Sequence, residues 1–160
     1  MFVQSLRFGQ LDVPDDKVIT MARPILGFEH LATFCLVDIE QLRPFLWFQS
    51  LEDESVAFLV ANPLLFHRGY RIEVNPQEIA ELEVREVSSV ETYCIVTVPD
   101  NPREISANLQ GPILVNPETR LAKQLVLVNS PYRVQHYLLD ALERADHAAE
   151  LHPQEELVEL

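Results

Sequence analysis

The stretch Phe45-Leu46-Trp47-Phe48-Gln49-Ser50-Leu51, followed by Ala57-Phe58-Leu59-Val60-Ala61-Asn62-Pro63, decides the fold. It reads as two neighbouring strands, rich in aromatic and β-branched residues. Asp53-Glu54 between them marks a turn, and Asn62-Pro63 cuts the second run, because proline brings no N–H to a ladder. The first strand carries the only Trp of the chain. On a central strand burial is the commoner fate of Trp, so Trp47 is expected in the core, and Phe45, Leu59 and Ile95 with it. Gln49, Asn62 and Asn108 are polar groups among apolar runs. If buried they need hydrogen-bond partners.

Outward from this pair, strand-length apolar runs recur at Val3–Phe8, Val18–Met21, Thr33–Ile39, Tyr70–Val74, Leu82–Val87, Glu91–Val98, Ile105–Leu109, Pro112–Val115 and Gln124–Val128. Asp15-Asp16, Asn101-Pro102 and Asn116-Pro117 supply further turn signals. Closely spaced strands without intervening helices pair antiparallel. So many in one small domain predict a mainly β fold, a small antiparallel β-barrel-like domain. Two helices are expected beside it. Asn75-Pro76-Gln77-Glu78 offers an N-cap, a proline at the first helical position and an early Glu, opening a short helix through Leu82. Ser130-Pro131 opens a longer C-terminal helix, whose stripe is Val134, Leu138, Ala141, Leu142 and Ala145.

The chain has 160 residues, enough for one real core. Residues 1–147 are expected to form a single domain and 148–160 an acidic, mobile tail. The apolar runs are far short of a membrane span, and the N-terminal residues lack a signal-peptide layout, so a cytoplasmic protein without membrane contact is expected. Cys35 and Cys94 sit inside apolar runs and read as reduced core thiols. There are 25 acidic and 12 basic residues, a formal net charge of -13. Such a surface repels phosphate backbones and attracts basic partners, so direct nucleic-acid binding is not expected.

No chemistry-bearing motif can be written. His30, His67, His136, His147 and His152 lack metal-site spacing, and no H-E-x-x-H or C-x-x-C is present. No Ser lies in G-x-S-x-G. The four glycines are isolated, which rules out a P-loop and a dinucleotide fingerprint. The expectation is a binding protein with no catalytic residue, no cofactor and no metal. Two alternatives stay open: another kind of acidic β-domain that binds some other protein, and an enzyme whose pocket is assembled from distant residues.

Taken together, Phe8-Gly9, Gly27-Phe28-Glu29, Phe45 to Glu52, Ala57 to Pro63, Phe66, Tyr70, Val96-Thr97-Val98-Pro99, Ala107-Asn108-Leu109-Gln110, Pro112-Ile113, Asn116 and Lys123-Gln124 resemble the FliW family of bacterial flagellar assembly factors. The resemblance runs from about Phe2 to Tyr137. It departs at Met21-Ala22-Arg23-Pro24, where the family usually has Phe-Pro-x-Gly, and proline fixes φ at Pro24. The resemblance implies a small, mostly antiparallel β-barrel and a partner switch. Members bind flagellin in the cytoplasm and also CsrA, a small basic dimer that represses flagellin translation. Flagellin that accumulates occupies FliW and leaves CsrA free to repress; export of flagellin frees FliW to sequester CsrA. A monomer or weak dimer is expected. Partner contact is expected at strand ends, where backbone groups are open to an incoming segment. The residues singled out for it are Asn62, Tyr70, Glu73 and Asn108.

Overall fold

The computed structural model describes residues 1–138. Eleven strands follow in chain order: β1 Phe2–Ser5, β2 Gly9–Asp12, β3 Ile19–Arg23, β4 Thr33–Val37, β5 Leu46–Ser50, β6 Ala57–Ala61, β7 Glu91–Thr97, β8 Ser106–Ala107, β9 Ile113–Val115, β10 Leu121–Gln124 and β11 His136–Tyr137. One α-helix, α1, spans Pro76–Ala80 between β6 and β7. β5 and β6 pair in register, Trp47 against Leu59 and Phe48 against Phe58, as the opening stretch predicts. From β7 the ladder runs through β6, β5, β4, β3, β10 and β9, and β9 returns to β7. Seven strands thus close a barrel. The N-terminal half of β7 pairs with β9 (Tyr93 opposite Ile113), and its C-terminal half pairs with β8 (Val96 opposite Ala107). The pairings are antiparallel except that of β10 with β3.

Alternation sorts the side chains. Ile19, Met21, Phe34, Phe48, Val60, Ile113, Val115 and Ala122 point inward and form the barrel core. Phe34 and Phe48 stack there with ring centroids 4.5 Å apart. The outer face is covered in patches. The β1–β2 hairpin lays Val3 against Cys35 of β4, while Phe66, Tyr70 and Leu109 cover Ala61, Cys94 and Val96. Trp47 falls on this outer face and is half-buried, not core. The Arg7 guanidinium lies 4.0 Å from its ring centroid. The reason is parity: Phe48 takes the inward position, and the hairpin covers only part of its neighbour. Phe45, Leu59 and Ile95 are likewise half-buried. Gln49, on the same outer parity, is fully buried. It accepts from Ser5 Oγ at 2.8 Å and donates to the Ser50 and Val56 carbonyls, stitching the hairpin to the barrel. Both cysteines are buried and free.

The Asn-Pro signals act as turn starters. Asn62, Asn75 and Asn101 each cap a helical turn whose first residue is the proline. At Asn75 the full capping box forms, with Glu78 reaching back to the Asn75 N–H. The expected C-terminal helix does not begin at Pro131. The chain stays extended through β11, and helical conformation first appears at Leu138. Long-range bonds outweigh the local stripe: the Arg133 carbonyl accepts from Leu109 N, Leu138 N donates to the Ile105 carbonyl, and the Tyr132 hydroxyl accepts from Arg71 N at 2.7 Å. Residues 139–160, on which the remainder of the expected helix stripe and the expected acidic tail fall, lie outside the described residues. Tyr70–Val74 and Leu82–Val87 are not strands; they lie over the outer face of the barrel.

Candidate functional site

β10 carries apolar Ala122 inward and Lys123 outward, so a lysine faces the layer that covers the barrel. That layer is the segment holding α1. Leu82 at its end is fully buried against Leu114 and Leu125. Its carbonyl accepts from Asn116 Nδ2 at 2.9 Å and from Thr119 Oγ1 at 3.0 Å. Beneath α1, Lys123 is 6% exposed. A buried ammonium costs several kcal/mol unless it is paired and hydrogen-bonded. Here Nζ donates to the Glu78 carbonyl at 2.8 Å and lies 3.8 Å from Glu81 Oε2. Glu81 also accepts two bonds from Arg23, at 2.9 and 3.1 Å. The Arg23 hydrogen bonds and then the Lys123 charge hold its carboxyl below the usual range.

The opposite wall is pinned by amides. Gln124 Oε1 accepts from Leu26 N at 2.8 Å, and its Nε2 donates to the Gly111 carbonyl at 3.0 Å. Asn108 Oδ1 accepts from Gln110 N and Gly111 N. A Cβ on Gly111 would stand 2.9 Å from Gln124 Nε2 and 3.0 Å from Asn108 Nδ2, so any larger residue would displace these two amides. Between these walls runs an open groove of about 830 Å³, bordered by Arg23–Leu26, by the segment from Glu73 to Glu81, and by Lys123–Val128 along its floor. Leu26, Val126 and Val128 expose large apolar surface there. Among the described residues, no three His, Cys, Asp or Glu side chains stand close enough to hold a metal ion.

Of the residues singled out from the sequence, Glu73 lines the groove and is exposed. Asn108 is half-buried behind it, holding Gly111. Tyr70 is 8% exposed, and its hydroxyl donates to the Leu109 carbonyl at 2.7 Å. Burial raises its pKa above the ordinary tyrosine value. Asn62 is exposed, and its side chain accepts from Leu64 N in its own turn. Of the four, the structure therefore puts only Glu73 on the groove lining; Asn108 stands outside that lining, Tyr70 is buried and Asn62 is engaged in a local capping bond. Sequence reasoning did not single out Lys123, Gln124, Arg23 and Glu81 as site-forming residues. The one local signal was a Lys-Gln pair at the end of an otherwise apolar strand.

The comparisons agree with this architecture. The sequence profile of the family described as "FliW protein" matches residues 3–138. A flagellar assembly factor FliW from Thermosipho africanus is 35% identical over 133 residues, covering 82% of this chain and 92% of that protein. Another from Moorella thermoacetica is 36% identical over 139 residues, covering 86% and 88%. A crystal structure of the flagellar assembly factor FliW superposes with a TM-score of 0.80 at 28% identity, covering 86% of this chain and 96% of that one. A closed seven-stranded barrel, the Asn108 and Lys123-Gln124 anchors and the match over residues 3–138 converge: this chain belongs to the FliW family.

Proposed function

We propose that this protein is a non-enzymatic partner switch of the bacterial cytoplasm. It binds newly made flagellin and, alternatively, the basic translational repressor CsrA. Flagellin in excess occupies it and leaves CsrA free to repress flagellin synthesis; flagellin leaving by export reverses the exchange. The observation that carries this reading is family membership over residues 3–138. The net charge of -13 supports it, because an acidic surface favours encounter with a basic RNA-binding dimer. The protein acts as a monomer or weak dimer, with no cofactor. Partner contact falls on the surface formed by Asn62, Tyr70, Glu73 and Asn108.

Titration of the purified protein against flagellin and CsrA, singly and in competition, tests the switch. Each partner is expected to bind, and flagellin to displace CsrA. Failure to bind either one defeats the reading. For the surface, Tyr70→Ala, Glu73→Lys and Asn108→Ala are made separately, with folding and binding measured on each. Glu73→Lys is expected to fold and to bind poorly. Three folded variants that bind both partners as the parent does would move the surface elsewhere.

A further inference from the structure

The groove contains an unfinished sheet. β3 and β10 run parallel only as far as Arg23 and Lys123. Pro24 then removes the next N–H from β3 and turns it away. The Leu26 N–H that follows is taken by the Gln124 side chain, not by backbone. β10 ends at Gln124, but the chain runs on beside Gln110–Pro112 until Val128 N donates to the Val126 carbonyl at 3.1 Å and turns it. Leu125 N and Leu127 N donate to the Pro112 and Gln110 carbonyls on its far side, both at 2.8 Å. In an extended chain alternate residues face opposite edges, so Val126 N–H faces the groove. No group of the described residues accepts from it. An open strand edge of this kind is a template for another chain.

The groove also selects what can complete it. Arg23 and Lys123 both share the single carboxylate of Glu81. Glu73, on the same wall, is in no ion pair among the described residues, whereas the Glu78 carboxylate already accepts from the Asn75 N–H. Leu26, Val126 and Val128 leave apolar surface on the other side. Backbone donor, the spare Glu73 carboxylate and the apolar rim all ask for one kind of occupant. We propose that the groove takes an extended segment of a partner protein, in which Lys or Arg alternates with small apolar residues, as an added strand along Gln124–Val126. The inference rests on the reading that this protein works by binding other proteins, and it names the chemistry of what is bound. Backbone pairing supplies the affinity and the alternate side chains the selectivity.

The test uses the ¹⁵N-labelled full chain and two synthetic peptides, acetyl-Lys-Val-Lys-Val-Lys-amide and its glutamate counterpart acetyl-Glu-Val-Glu-Val-Glu-amide. The lysine peptide is expected to shift the Val126 amide resonance and slow its hydrogen exchange; the glutamate peptide is not. Val126→Pro removes the edge donor and is expected to weaken lysine-peptide binding at least about tenfold, while Val126→Ala stays within about threefold. Should Val126→Pro melt early, Glu73→Arg decides, with a loss of about fivefold or more expected. Equal effects of the two peptides at Val126, or folded Val126→Pro and Glu73→Arg variants with unchanged affinity, overturn the proposal. Flagellin and CsrA are titrated against the same variants. Loss of both partners by the parent protein sinks the switch and leaves the peptide result to judge the groove. Parental affinity for both partners in both variants sinks strand addition and leaves the switch standing.

Discussion

The Tyr70 hydroxyl donates to the Leu109 carbonyl inside a cluster with Phe66 and Cys94. Tyr70→Phe leaves that buried carbonyl short of a partner and is expected to cost ~1–2 kcal/mol in a urea titration. The same burial raises the Tyr70 pKa above its ordinary 10.0, and burial raises that of Tyr93 similarly. The folded state then holds these protons more tightly than the unfolded chain. The stability they contribute is complete below pH 10.0, the unfolded value, and is lost as pH rises toward their folded values. Urea midpoints are expected to hold steady up to that pH and then fall; a midpoint that rises on alkalinisation would refute the assignment. Gln49 offers a second residue-scale test. Its amide joins Ser5, Ser50 and Val56 at a fully buried position. Gln49→Leu strands the Ser5 hydroxyl proton and leaves the Val56 carbonyl with the Ser50 N–H alone, and is expected to cost ~1–3 kcal/mol. Parental stability in that variant would mean that packing and the Leu6 N–H bond to the Glu54 carbonyl hold the hairpin without this amide.

Among the elements, α1 is short, so its end matters disproportionately. The Asn75 side chain accepts from Glu78 N at 2.9 Å. Asn75→Ala is expected to lower stability by about 1 kcal/mol, read from a thermal melt. It should also loosen the Glu78 carbonyl that holds Lys123. Local chemistry of this sort was legible in the sequence: Asn followed by Pro opens each capped turn, and the β5–β6 hairpin emerges from its aromatic alternation. What was not legible depends on distant partners. Gly9–Asp12 has little apolar character and becomes a strand because β1 lies beside it. Tyr70–Val74 has strand composition, yet it covers the barrel because Tyr70 finds Leu109. His136–Tyr137 lies in a helical stripe but is drawn to β8. The groove follows the same rule. Glu73 could be picked by its charge, whereas the free Val126 N–H depends on where Pro24 sends β3.

For the whole molecule, the charge of -13 is a property no single contact carries. Association with CsrA is expected to slow as salt rises, while dissociation changes less. An association rate that is flat between low and high salt would count against steering. By the same argument the protein alone should leave RNA unshifted in a gel; a tight, sequence-selective shift would contradict the switch. No helix among the described residues is long and apolar enough to cross a membrane. The two free cysteines lie under different layers of the closed barrel. Cys94 faces Ala61 across the β6–β7 ladder, and burial pushes its thiol up to about 12. Cys35 lies beneath the β1–β2 hairpin, which rests on β4. A thiol reagent can reach either one only when its cover opens. The chain thus carries two chemical stopwatches. Cys35 times the lifting of the β1–β2 hairpin, and Cys94 times the lifting of the cover made by Phe66, Tyr70 and Leu109, so native-state labelling should modify the two thiols at different rates.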